Sequence, residues 1–306
     1  MSFTPVKKID LHVHTSESGW YSSTPDSRYA TPSEVLAMYD KIGVERGVLM
    51  PEICIESGFV ISSNYEIWQV VQKYPDRFSW FCNVDPRQGN NSTSTNFIPH
   101  LRQLMGFGAK GIGEMSTNLP FDDPLTENLF GQLEELGLSV TFHLGNRFGD
   151  YGIVDGFGLP GLEKSLAKFP RLRHIGHSQK FWAEISGDLK PEERDGYPTG
   201  KVAPGGRLQE LMRRYPNLCA DLSAGSGYNA MTRDPEHAYG FLEEFKDRLY
   251  YGTDICRPGN INSDMLLLAS FLDDACANGK ISWDAYYKIS RGNAEKLLGL
   301  PPMQAE

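Results

Sequence analysis

Two histidines one residue apart, His12 and His14, are the first residues in this chain able to do chemistry. They sit in Lys8-Ile9-Asp10-Leu11-His12-Val13-His14, where Ile9, Leu11 and Val13 alternate with polar neighbours. Period-two alternation predicts a strand with one apolar and one polar face, so both imidazoles point the same way and can hold one metal ion. Paired histidines also occur as hydrogen-bonded couples, so their companions decide the matter. Acids and histidines at the ends of the other strand-like runs are Glu114 after Gly111-Ile112-Gly113, His143 after Val140-Thr141-Phe142, His177 after His174-Ile175-Gly176, and Asp254 after Tyr251-Gly252-Thr253. Imidazole nitrogens with carboxylate oxygens form a donor set that suits zinc, with manganese, iron or nickel as alternatives.

These residues meet only if the strands that carry them run parallel around one axis. The strand-like segments are Lys7–His14, Arg46–Glu52, Phe78–Asp85, Ala109–Ser116, Ser139–Gly145, Arg173–Ser178, Leu218–Ala224 and Leu249–Ile255. Helical patterns separate them, near Asn64–Tyr74, Asn96–Met105, Pro124–Leu136, Gly161–Phe169, Gly206–Tyr215, Pro235–Phe245 and Trp283–Leu298. The first helix is well marked: Thr31-Pro32-Ser33-Glu34 reads as a capping box with proline at the first helical position, and Gly43 ends it. Eight strands alternating with helices predict an α/β fold, a single-domain (β/α)8 TIM barrel over residues 1–306. Strand C-termini then converge on one rim, which brings four of the seven histidines together with Glu114 and Asp254. Two long connections, Ser16–Ala30 and Phe181–Gly205, also emerge on that rim, and the second reads as a lid or pocket wall.

Composition narrows the function. The chain has 306 residues, 40% hydrophobic and 23% charged, with a net charge of -9 and no basic block. Nucleic acid is a poor partner for such a surface, since phosphate binding needs clustered cations; a small anion needs only one or two. Five scattered cysteines without a Cys-x-x-Cys pair predict reduced thiols and a cytoplasmic location. No apolar run reaches membrane-spanning length.

At this point the chain resembles the amidohydrolase superfamily, in its amidohydrolase 2 branch of metal-dependent barrel hydrolases and decarboxylases. The likeness rests on Ile9-Asp10-Leu11-His12-Val13-His14, on Tyr74-Pro75-Asp76-Arg77-Phe78 leading to Asn83-Val84-Asp85-Pro86, and on Gly137–His143. It continues through Gly176-His177 and Tyr251-Gly252-Thr253-Asp254 to the tail Gly292–Leu300. The resemblance implies His12, His14 and His143 as metal ligands, with Asp254 touching the metal or its water. It implies that His177 hydrogen-bonds or activates that water. Glu114 occupies the position where two-metal relatives place a bridging group, so it either bridges two ions or stands beside one. A small-molecule amide, ester or lactone is the expected substrate of a hydrolase, and an aromatic or unsaturated acid that of a decarboxylase. A non-catalytic barrel would be expected to lack a ligand.

A bound divalent cation lowers the pKa of water to about 7, which makes hydroxide available at neutral pH. Asp254 can accept the proton released, and His177 is the other proton carrier. Arg147 and Arg257 follow His143 and Asp254, and either can pair with a substrate carboxylate. Trp20 and Tyr228 are candidate pocket walls. His174 has the opposite strand parity to His177 and should face the helices; His100 and His237 belong at the surface, and Lys110 inside the barrel. A homodimer is the default assembly for a barrel.

Overall fold

The structure, a computed structural model, describes residues 3–21, 23–57 and 60–303. Among the described residues nine strands follow in chain order: β1 Lys8–Val13, β2 Val44–Leu49, β3 Phe78–Trp80, β4 Ile112–Met115, β5 Ser139–Gly145, β6 Ile153–Val154, β7 Arg173–His177, β8 Leu218–Asp221 and β9 Leu249–Tyr250. All named pairings are parallel, β1-β2-β3 in one sheet and β4-β5-β7-β8-β9 in the other, with β6 beside β5. Two bridges join the sheets: Cys82 pairs with Ile112, and Val13 pairs with Ile255. The hydrogen bonds from Leu11 N to Tyr251 O (2.9 Å) and from His14 N to Ile255 O (2.8 Å) complete the ring. Eight strands therefore form the (β/α)8 TIM barrel. The observed strands are mostly shorter than the apolar runs predict, because their ends flare into the loops that build the rim.

Helices α1 Pro32–Ile42, α2 Asn64–Lys73, α3 Ile98–Gly106, α4 Pro124–Leu136 and α5 Pro160–Lys168 lie on the outside, followed by α6 Gln179–Ala183, α7 Arg207–Arg214, α8 Ala224–Thr232, α9 Pro235–Phe245, α10 Leu268–Ala277, α11 Trp283–Tyr287 and α12 Asn293–Leu298. The capping box at α1 forms as expected: Thr31 N donates to Glu34 Oε2 at 2.8 Å, and Gly43 adopts φ 73° at the C-terminus. The predicted helix Trp283–Leu298 is interrupted by a π-helical turn at Lys288–Gly292. Helix α8 escapes prediction because Ala224-Gly225-Ser226-Gly227 reads as a loop.

Inside the ring, Ile9, Leu11, Val48, Met50, Phe81, Ile175, Cys219 and Tyr250 fill the lower half. Strand β1 does not alternate throughout. Lys8 and Asp10 reach outward, Lys8 Nζ to Asp273 (2.6 Å) on α10 and Asp10 to the Tyr39 hydroxyl (2.7 Å) on α1. Asp10 pairs with Gly47 but Val13 pairs with Leu49, so Leu11 and His12 together oppose Val48. That is a β-bulge, which re-aims the residues beyond it. Leu11 stays inside, Val13 joins the layer under the helices, and His12 and His14 turn to the mouth. The expected single polar face over Lys8, Asp10, His12 and His14 is thus corrected. Strand β4 repeats the device: Ile112 pairs with Val140 and Met115 with Phe142, so Gly113 and Glu114 share Thr141 as their opposite.

Candidate metal centre

His12 and His14 bring their Nε2 atoms to 3.1 Å. Their outer nitrogens are committed: His12 Nδ1 faces Asp221 Oδ2 at 2.9 Å, and His14 Nδ1 faces the Met50 carbonyl at 3.0 Å. A carboxylate and a carbonyl only accept, so both rings donate Nδ1–H, and each ring, when neutral, turns a bare Nε2 lone pair inward. Two lone pairs at that separation need positive charge between them, a proton or a metal ion. Nitrogens bound about 2.0–2.1 Å from one zinc ion sit about 3–3.4 Å apart, so the pair fits a shared metal ion.

Carboxylates close the cluster. Glu114 Oε2 lies 3.5 Å from His14 Nε2 and 3.8 Å from His12 Nε2. Its other oxygen lies 2.8 Å from His143 Nδ1 and 3.6 Å from His177 Nε2. Asp254 Oδ1 stands 3.8 Å from His12 Nε2 and 3.7 Å from His14 Nε2, while Oδ2 is 3.7 Å from His177 Nε2. Among the described residues three trios could each hold an ion: His12, His14 and Glu114; His12, His177 and Asp254; Glu114, His143 and His177. The His/Asp/Glu arrangement fits a divalent metal cofactor. The resemblance implies His143 as a ligand with His12 and His14; here His143 stands in a separate trio and reaches that pair through Glu114.

The electrostatics favour positive charge at this point. Burial would push His12 down, but Asp221 and Glu114 overcome it and hold the ring well above its usual value. His14 is likewise raised against burial by Glu114 and Asp254, despite the opposing charge of His12. Burial would raise Glu114; His143, His12 and His14 hold it well below the usual carboxylate range. At His143 burial wins over Glu114 and lowers the ring.

Backbone geometry fixes these groups. Asp254 adopts φ 57°, a left-handed conformation, and its N–H donates to His12 O at 2.8 Å. The buried Asp10 carboxylate accepts from His12 N and Thr253 N, both at 2.9 Å, tying the β1 bulge to the loop that carries Asp254. Burial pushes Asp10 up to about 6 in spite of these bonds and those from Thr253 Oγ1 and Tyr39.

Above the cluster opens a cavity of about 300 Å3, walled by Tyr29, Val60, Glu52, Tyr151, Cys256 and Arg257. Glu52 accepts from Ser116 Oγ (2.8 Å) and from the Tyr151 hydroxyl, which also stands 3.3 Å from Glu114 Oε2. Of the predicted substrate contacts, Arg257 lines this cavity. Arg147 does not; it is exposed, 3.7 Å from Asp150. Trp20 is 72% exposed, and Tyr228 on α8 packs against the helical layer; neither is in the wall. The 181–205 segment forms no wall of this cavity either. Its Arg194 is buried and donates to Asn146 Oδ1 at 2.7 Å and to the Asp155 carbonyl at 2.9 Å, which pins the segment to the barrel. Ser22, in the other long connection, lies outside the described residues. His174 faces the helices as expected, bonded to Ser165 Oγ at 2.9 Å, and His100 is exposed. His237 is half-buried beside Gln209. Lys110 is exposed, because the strand starts only at Ile112 and leaves Lys110 outside the ring.

Asp221 was missed. It is fully buried at the end of β8 and accepts from both His12 and His177, the latter at 3.2 Å. Burial would raise its carboxyl, but His177 and His12 hold it far below the ordinary range. The rule that found Glu114 and His143, an acid or imidazole at a strand's C-terminal end, applies equally to Cys219-Ala220-Asp221.

Residues 9–300 match the family model described as Amidohydrolase. The chain belongs to the amidohydrolase family. Similar solved structures include an uncharacterised TIM-barrel protein from Bordetella bronchiseptica (19% identity, 96% of this chain and 99% of that one, TM-score 0.64). Another is a probable 2-pyrone-4,6-dicarboxylic acid hydrolase from Acinetobacter baumannii with citric acid bound (18%, 96% and 100%, 0.56). A third is 2,6-dihydroxybenzoate decarboxylase from Rhizobium (16%, 96% and 99%, 0.59). These likenesses show the barrel fold. No curated protein matches the chain. Family, fold and ligand cluster together make this amidohydrolase an enzyme. Among the described residues no helix is long and apolar enough to cross a membrane.

Proposed function

We propose that this amidohydrolase is a metal-dependent hydrolase that opens a small amide, ester or lactone. The observation that carries this reading is the facing pair of Nε2 lone pairs on His12 and His14, 3.1 Å apart at the base of an open cavity and flanked by Glu114 and Asp254. His12, His14 and Glu114 would hold the ion, with Asp254 and His177 beside it; zinc suits this set of nitrogen and oxygen donors. The cation, when bound, acidifies water and polarises a carbonyl. Asp254 is one-quarter exposed and borders the cavity, so its carboxylate can take a proton from the attacking water and return it to the leaving atom. His177 Nε2, 3.7 Å away, is the second proton carrier within reach. A space of about 300 Å3 suits a small molecule. Arg257 is its one cationic wall residue among the described residues, enough to anchor a single substrate carboxylate.

Decarboxylation of an aromatic acid is the second reading. Tyr29 stacks on His14 with ring centroids 5.9 Å apart and planes at 17°, which gives the cavity a flat wall suited to a planar ring. A solved relative is named as a dihydroxybenzoate decarboxylase. Metal analysis of protein purified without added metal, followed by lactone and ester hydrolysis set against carbon dioxide release from hydroxybenzoates, separates the readings. Hydrolysis with about one equivalent of metal supports the first. Carbon dioxide release alone replaces it with the second, about two equivalents make Glu114 a bridge, and absence of metal removes both.

A further inference from the structure

The surroundings of Asp221 say more about the metal centre than its ligands do. Asp221 Oδ2 accepts from His12 Nδ1 at 2.9 Å. Oδ1 lies 3.2 Å from His177 Nδ1 and 3.1 Å from Ser223 N, and the Ser223 hydroxyl donates to it as well. Four donors reach this carboxylate, three on Oδ1 and one on Oδ2. Among the described residues no Lys or Arg forms an ion pair with Asp221; its only charged partners are the two imidazoles. The backbone is held too, since Trp182 Nε1 donates to Asp221 O at 3.1 Å. A carboxylate buried this fully, with no Lys or Arg beside it, is matched by positive charge on the two rings it touches or on their far side.

We propose that Asp221 is the positioning residue of the metal centre: one carboxylate, acting on His12 directly and on His177 together with Ser223, fixes both tautomers, so that His12 presents Nε2 to the cation and His177 keeps a bare Nε2 beside it. This rests on the metal-dependent reading above. His12 gives its Nδ1–H outward to Asp221, His177 shares its Nδ1–H between Asp221 Oδ1 and the Ser223 hydroxyl bonded to it, and each ring keeps Nε2 unprotonated toward Glu114 and Asp254. The two rings come from β1 and β7, with centroids 4.4 Å apart, and share Asp221 with the Ser223 hydroxyl bonded to it. Such outer partners set ligand orientation and basicity.

Asp221→Asn gives a directional test, because the amide has only one way to fit. Ser223 N donates to the Oδ1 position, so the amide oxygen must sit there, and its NH2 then faces His12 Nδ1. His12 must accept from that NH2, which moves the ring proton to Nε2, against the metal. His177 keeps its Nδ1–H on Ser223 Oγ, 2.9 Å away. Zinc titrated into the apoprotein against a chromophoric chelator should bind Asp221→Asn about 10–100-fold more weakly than wild type, and Ser223→Ala less than about tenfold more weakly. Nitrogen-15 NMR of the histidine rings should show Nδ1–H on His12 and His177 in zinc-loaded wild type, and Nε2–H on His12 in Asp221→Asn. The wild-type spectrum decides the matter even if the variant does not fold: Nε2–H on either ring overturns the proposal. Equal zinc affinity in wild type and Asp221→Asn overturns it while leaving the proposed function standing. No zinc binding by wild type overturns both.

Discussion

The lower and upper halves of this barrel are built from the same strands and obey different rules. Below, Ile9, Leu11, Val48, Phe81 and Ile175 interlock as an apolar plug, and side chains alternate in and out as a pleated strand requires. Above, alternation breaks at the β1 and β4 bulges, and His12 and Glu114 turn inward where regular strands would have sent them out. Each half has its own way of tolerating burial. The plug excludes polar atoms, whereas the mouth admits four histidines and three acids and pairs each with another. Stability and metal binding should therefore separate by height in the barrel.

A pair of substitutions tests that separation most strongly. Phe81→Ala removes a fully buried ring from the plug and should cost about 3–5 kcal/mol in denaturant unfolding, with zinc affinity of the folded protein unchanged. His12→Ala should do the reverse. It removes a ligand, so zinc affinity should fall by more than the 10–100-fold typical of an outer partner, and turnover should fall with it. Chelator competition and urea unfolding on both variants check the contrast. If Phe81→Ala weakens zinc binding as much as His12→Ala does, plug and mouth form one unit and the comparison fails.

The two histidines of β7 carry the contrast on one strand. His174 faces α4 and α5, packed edge-on against Phe130 and bonded to Ser165. Burial lowers it to about 4, against a smaller upward effect from the Leu172 carbonyl. The unfolded chain then binds a proton near pH 6.5 that the folded chain refuses until about pH 4. Stability should accordingly fall as pH drops through that window, by about 3 kcal/mol at most from this residue. Asp10 acts in the opposite sense: its folded value, raised to about 6, makes stability fall as pH rises toward that point. The slope must therefore be read as a difference between proteins. Urea unfolding of wild type and His174→Asn from pH 7 to pH 4 should show the steeper acid loss in wild type; parallel curves would mean that His174 titrates freely in the fold.

This division also explains what the sequence could and could not tell. Apolar runs and caps such as Thr31–Glu34 are local signals, so the eight-strand ring was legible. Strand-end positions exposed His12, His14, Glu114, His143, His177 and Asp254 for the same reason. A bulge leaves no local trace: one extra residue on β1 looks like continued alternation, and only the register against Gly47 and Leu49 reveals it. Asp221 lay within reach of the strand-end rule but has no histidine beside it in sequence to draw notice. Loop residues were least legible. Arg147 and Arg257 look alike in sequence, each three or four residues past a candidate ligand, yet loop direction places only one of them in the wall.

That last difference gives the mildest test. Arg257 lines the cavity, and its guanidinium forms no ion pair among the described residues. If it anchors a substrate carboxylate, Arg257→Ala should raise KM by about tenfold for an acidic substrate, as expected for loss of one solvent-accessible charged hydrogen bond worth about 1.5 kcal/mol. kcat should change less, because an anchor distant from the reacting bond holds ground state and transition state alike. Arg147→Ala is the matched control. Its side chain is 76% exposed and stands at 3.7 Å from Asp150, so KM should not move. A neutral ester of the same substrate should be indifferent to both changes. Should Arg147→Ala raise KM and Arg257→Ala leave it unchanged, the loop after β5 would close over the mouth in solution, and the substrate's acidic end would lie across the cavity from where this structure puts it.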